Sequence, residues 1–185
     1  MLLHPLNKLL LGYHHPVADF QNREAGFVHH ADGYFIYGAK STAQYKRLKT
    51  VKKSVCKWKH TKLKKGTQYK YRVAAYKIIE GKRVIISKSL PVYSTTKGGK
   101  YGNPVKVCVK KSSVSVKCQK KVKLKVEVTG NRLNKAGKMI RYISTDPSIA
   151  KVSKKGIITG VSPGTCYIYC VARNGSFKRV RVKVI

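Results

Sequence analysis

The chain has 185 residues, room for one large domain or two small ones, and its 42% hydrophobic content suffices for packed cores, which excludes disorder throughout. Its charge is extreme, with 41 Lys and Arg against 6 Asp and Glu for a formal net charge of +35, and such a surface attracts polyanions. The six carboxylates, at Asp19, Glu24, Asp32, Glu80, Glu127 and Asp146, are scattered, so paired-carboxylate catalysis has almost no material.

Residues 1–27 read as an irregular N-terminal segment. Five of the six histidines fall at or near it, at His4, His14, His15, His29 and His30. Adjacent histidines on an extended chain point to opposite faces, so no metal site is expected. The opening Met1 to Gly12 is apolar in character but is interrupted by Pro5, Asn7 and Lys8. It makes a poor signal peptide and no transmembrane helix.

From Gly33 the pattern changes to short β-type runs between Gly, Lys and Ser turns. Strands are predicted at 34–37, 45–51, 55–58, 69–78, 84–87 and 92–95, with Glu80–Gly81 as a hairpin turn between the fourth and fifth. Residues 97–104 collect glycine, polar residues and proline and form the linker. Beyond it, strands are predicted at 105–109, 114–116, 122–128, 139–144, 150–153, 157–161, 165–172 and 178–184, the last two joined by Asn174–Gly175. No segment has a helical period, so the fold class is all-β with strands at sandwich spacing.

The five cysteines include no Cys-x-x-Cys pair, and an odd count leaves at least one thiol free or paired outside the chain. Cys166 and Cys170 lie four apart on one predicted strand, about 13 Å between Cα atoms, too far for a disulfide. Both are expected to point inward with Ile168 as small core residues. Cys56 and His60 are the one close Cys and His pair, in a Lys-rich stretch that reads as surface. Asp32 beside Gly33 and Asp146 beside Pro147 read as turn residues.

Two motifs carry family resemblances. Ala31 to Tyr37, followed by Leu63, Gly66, Thr67, Tyr69, Tyr71, Val73 and Ala75, resembles the third strand and the tyrosine corner of a fibronectin type III domain, assigned to residues 28–96. In this motif Leu63 plugs the core, Gly66 permits the turn, Tyr69 bonds back to nearby backbone, and Tyr71, Val73 and Ala75 alternate inward. Trp58 suits the inward aromatic of the preceding strand. Ala25 stands where that family places a core tryptophan, which leaves strands one and two of the sandwich unassigned. Residues 105–185 resemble a bacterial immunoglobulin-like domain of group 2, through Asp146, Pro147, Ile149, Ala150, Val152, Gly156, Ile158, Gly160, Val161, Pro163, Gly164 and the alternating strand to Cys170. Gln119 occupies a turn position where that family often has glycine.

These resemblances imply two tandem immunoglobulin-like β-sandwiches forming a non-catalytic, extracellular or cell-surface module of a bacterial protein, a spacer or adhesive segment that meets cell-wall or host-surface polymers as a monomer, with no cofactor. Two alternatives stand beside it: an electrostatic binder of polyanions (cell-wall polymer, glycosaminoglycan or, non-specifically, nucleic acid), and an accessory segment of a larger secreted hydrolase. The candidate polyanion contacts are Lys62, Lys64 and Lys65, and Lys120, Lys121, Lys123 and Lys125. Residues 31–103 carry a net +17 and residues 104–185 a net +18. The sequence shows no concentrated basic patch interleaved with exposed aromatics, so any anion binding is expected to be weakly selective.

Overall fold

The computed structural model describes residues 2–3, 31–55 and 58–185. Among them the chain forms strands and no helix, and it divides into two compact units, Met1–Lys100 and Tyr101–Ile185. The five histidines of the N-terminal segment, Ala25 and Cys56 lie outside the described residues.

The first unit contains β1 (Leu2–Leu3), β2 (Gly33–Lys40), β3 (Lys46–Lys52), β4 (Trp58–Lys59), β5 (Gln68–Ile79), β6 (Lys82–Lys88) and β7 (Val92–Thr95). One sheet runs β3-β2-β5-β6 with β7 on the first half of β5, and β1 pairs with β4. Alternation along β5 buries Tyr69, Tyr71, Val73 and Ala75 on one face, against Tyr34, Ile36, Val51 and Val92. Leu63 and Trp58 pack on this core. The corner is made as the motif requires: the Lys64 N–H donates to the Tyr69 hydroxyl at 3.1 Å, and Gly66 has φ of 62°. At the β5–β6 turn Glu80 and Gly81 both have positive φ, 49° and 73°, the signature of a type I′ hairpin.

Three expectations change here. The predicted strand 55–58 starts no earlier than Trp58 among the described residues, since Val55 closes a turn with Lys52. Asp32 is no mere turn residue: its carboxylate accepts the Ile78 N–H at 2.7 Å, across 46 residues of sequence. His60 is not on a bare surface, because its Nδ1 lies 3.0 Å from the Tyr71 hydroxyl and its ring stacks on Trp58 at 5.2 Å. Burial lowers the His60 pKa and pushes Tyr71 up to about 12.

The second unit contains β8 (Lys106–Val109), β9 (Ser113–Val116), β10 (Lys121–Lys123), β11 (Val126–Thr129), β12 (Ile140–Ser144), β13 (Ala150–Val152), β14 (Ile157–Gly160), β15 (Gly164–Ala172) and β16 (Phe177–Val184). A four-stranded sheet, β12-β15-β16-β9, faces β10-β14-β13 and β11-β8 across a core of Ile158, Cys166, Ile168, Cys170, Val180, Val182 and Val184. Strand β9 joins β16 in parallel, while the other pairings of this unit's named strands are antiparallel.

The run 122–128, predicted as one strand, is broken. Leu124 stays buried and its N–H goes to the Gly156 carbonyl, after which the chain leaves β14, the partner of β10, and β11 pairs with β8. Period-two alternation persists through the break, so the hydrophobic pattern gave no sign of the change of sheet. Gly156 is needed on two counts: φ of 74°, and a Cβ there would stand 2.7 Å from the Tyr142 ring. Gln119 takes the left-handed conformation, φ 61°, that explains glycine's use at such a turn. Asn174–Gly175 does close a hairpin, with the Gly175 N–H on the Ala172 carbonyl at 3.0 Å and φ of 90° at Gly175. Asp146 is a turn residue, its Oδ1 accepting the Ser148 N–H at 2.9 Å.

Candidate functional site

All seven lysines singled out in the sequence are exposed, yet they sit in different settings. Lys62, Lys64 and Lys65 occupy the loop into β5, whose backbone is committed to the corner: the Lys64 carbonyl also accepts from the Thr96 hydroxyl at 2.6 Å. Lys120 lies in the turn before β10, Lys121 and Lys123 are on β10, and Lys125 follows the change of sheet.

Two of the seven meet at a concave surface. Lys123 and Lys125 line a cleft of about 600 Å³ together with Lys110 and Lys155, over Leu124 and Tyr142. Lys110 follows β8 and Lys155 sits in the β13–β14 turn, so the chain crossing at Leu124 is what gathers four ammonium groups. Glu127 and Cys108 complete the lining, and the carboxylate offsets part of the positive field. Like charges around one cleft repel one another, and an anion placed among them would relieve that repulsion.

A second basic surface was not visible in the sequence. On the outer face of the first unit's large sheet, Phe35 stacks on Tyr76 with centroids 4.6 Å apart, and both are buried. The Arg47 guanidinium lies 5.0 Å over Phe35, and that of Arg83 lies 5.6 Å over Tyr76. Further along the sheet Lys70 and Arg72 cover the Tyr45 ring at 4.8 and 5.4 Å. The aromatic and basic partners are distant in sequence and meet through register, as where Tyr37 faces Arg47 across β2 and β3. The one available signal was that Phe35 and Tyr37 alternate with Tyr34 and Ile36, making β2 apolar on both faces. Basic side chains thus lie over aromatic rings across the sheet, but the Phe35 and Tyr76 rings are themselves buried.

Among the described residues no group of three or more His, Cys, Asp or Glu is placed to hold a metal ion. No helix there is long and apolar enough to cross a membrane. The core thiols are poor nucleophiles, since burial raises the pKa of Cys166 and takes that of Cys170 to about 12.

These features define a chain of immunoglobulin-like β-sandwich class. Residues 105–184 match the family model of the bacterial Ig-like domain (group 2), and the second unit is a domain of that kind. Comparison with curated proteins finds no match. Among solved structures the chain is similar to domains 4 and 5 of the S-layer protein SbsC, at 24% identity and TM-score 0.38, over 63% of this chain and 65% of that one. It is also similar to a longer chain of the same S-layer protein, at 17% identity and TM-score 0.39, over 82% of this chain but 20% of that one. Fibronectin(III)-like modules of Clostridium thermocellum CbhA align at 11% identity and TM-score 0.29, over 84% of this chain and 77% of that one. The chain therefore spans about a fifth of the longer S-layer chain and about two thirds of its two-domain fragment.

Proposed function

We propose that this chain is a non-catalytic structural and adhesive module of a bacterial surface or secreted protein, working outside the cell. The observation that carries this reading is the match of residues 105–184 to a bacterial Ig-like family, on a unit whose inner-face residues are committed to packing. Rigid sandwiches of this kind act as spacers and present surfaces, and their loops and sheet faces do the binding. Accessory service to a secreted hydrolase remains the neighbouring possibility and differs only in what flanks the module. The test is cosedimentation of the purified chain with intact bacterial cells and with isolated walls at physiological salt, with the supernatant assayed for released sugars or peptides. Sedimentation with no released product is expected. Steady release of wall fragments would overturn the non-catalytic reading.

A second reading, electrostatic binding of polyanions, is favoured by the four-lysine cleft at Leu124. It supplies the adhesive property with a physical cause, attraction to wall polymers rich in phosphate or carboxylate.

A further inference from the structure

The outer sheet face of the first unit offers more than charge. A cleft of about 510 Å³ opens there, with Phe35 and Tyr37 as its floor, Ile78 and Ile85 as apolar walls, and Arg47 and Arg83 among its lining. Ile78 is 50% exposed and Ile85 37%, a substantial apolar surface beside the arginines. The arginines are held rather than loose: each guanidinium rests on a ring of the Phe35–Tyr76 stack. A guanidinium held over a ring still has N–H donors for an incoming ligand and loses less freedom when it binds.

We propose that this cleft binds an acidic sugar of an anionic polysaccharide, with one uronate carboxylate taken by Arg47 or Arg83 and the sugar's C–H face laid on Ile78, Ile85 and Tyr37. The inference deepens the polyanion reading above and rests on it. Charge complementarity selects an anion, and the planar N–H fork favours a carboxylate approached side-on. The apolar walls select a ligand that carries hydrocarbon surface beside its charge, which a sugar ring has and a bare phosphate chain lacks. Nucleic acid fits less well, because Phe35 and Tyr76 are buried and Tyr37 alone offers a half-exposed ring, where a strand needs several for successive bases.

The test uses the full chain and measures affinity against salt for polygalacturonate, its fully methyl-esterified form, inorganic polyphosphate and single-stranded DNA. At about 0.5 M salt polygalacturonate is expected to keep its affinity within roughly tenfold, while polyphosphate and DNA lose about a hundredfold or more by counterion uptake. The esterified polymer is expected not to bind. Replacing Arg47→Lys and Arg83→Lys together keeps the net charge but removes the forks. This variant should lose roughly tenfold in high-salt polygalacturonate affinity while low-salt polyphosphate binding stays within about twofold. Ile78→Glu should show the same loss, whereas Val105→Glu, an equal charge change at a residue 74% exposed in the other unit, should not. Circular dichroism and Trp58 fluorescence check that each variant is folded. If the folded Arg and Ile78 variants bind polygalacturonate like the parent at high salt, or if polyphosphate or DNA is retained better, the inference is overturned while the polyanion reading stands. If no polymer binds even at low salt, the polyanion reading falls and the inference with it.

Discussion

The backbone N–H of Lys64 donates a hydrogen bond to the phenolic oxygen of Tyr69 at 3.1 Å, fastening the loop that carries Lys62, Lys64 and Lys65 to the start of β5. Tyr69 is buried, so Tyr69→Phe leaves the ring in the core and removes only this acceptor. The orphaned N–H is partly buried, and a loss of about 1–2 kcal/mol of stability is expected. Urea unfolding followed by Trp58, the one tryptophan of the chain, measures it. A cost near zero would mean that water replaces the tyrosine and that the corner is ornamental.

Ser89 predicts a larger effect from a smaller side chain. Strand β5 pairs with β7 over 68–71 and with β6 from Ala74 onward, which leaves the Val73 N–H between partners. The Ser89 hydroxyl fills the gap, accepting that N–H at 3.0 Å and donating to the Leu90 carbonyl at 3.1 Å. Ser89→Ala strands a buried amide, so about 1–3 kcal/mol should be lost. Hydrogen exchange at Val73 should accelerate with it, and unchanged exchange there would disprove the assignment.

The strands that were easiest to read in the sequence are those whose two faces differ. Along β16, Val180, Val182 and Val184 alternate with Arg179, Arg181 and Lys183, and the inward set is the buried set. The break at Leu124 was hidden because a strand that changes sheets keeps its period while it changes its hydrogen-bond partners. The Arg47–Phe35 and Arg83–Tyr76 pairs were hidden for a related reason: they are cross-strand neighbours, set by pairing register and not by spacing along the chain. The seven lysines were legible as exposed, but nothing in the sequence marked Lys123 and Lys125 as sharing a cleft.

Burial of acid protons predicts alkaline sensitivity. Cys170 is fully buried and its pKa rises from an ordinary 9.0 to about 12, while Tyr71 rises from 10.0 to about 12. Each group keeps its proton in the fold after the unfolded chain has released it. Stability is therefore unaffected below about pH 9 and declines between about 9 and 12, with a slope near 1.4 kcal/mol per pH unit for Cys170 alone. Lysine neutralisation in the same range relieves self-repulsion and works the other way, so the informative quantity is the difference between the parent and Cys170→Ala. That difference should shrink steadily as pH rises. At neutral pH, thiol labelling should reach the half-buried Cys108 and Cys118 before Cys166 and Cys170. Early labelling of Cys170 would mean that β15 is shifted by one residue.

The four-lysine cleft makes a prediction about salt that separates it from the general charge of the chain. A lysine whose ammonium group touches the polymer displaces a counterion, whereas one that adds only to the distant field is screened over about 8 Å at physiological ionic strength. Lys110, Lys123, Lys125 and Lys155 border one concave surface, so a single anionic segment reaches all four. Lys62, Lys64 and Lys65 sit on the exposed loop before β5. Changing Lys123 and Lys125 to glutamine should therefore reduce the slope of log affinity against log salt for polyphosphate by about 0.7–0.9 per lysine. The same exchange at Lys62, Lys64 and Lys65 should lower affinity slightly and leave the slope nearly unchanged. Glu127→Gln removes the one carboxylate in the cleft lining and should strengthen low-salt binding, by less than about tenfold for an exposed site. Fluorescence titration of labelled polyphosphate at four or five salt concentrations decides it. Equal slope changes from the two lysine sets would show that the polymer follows the overall charge of the chain and that the cleft at Leu124 has no part in holding it.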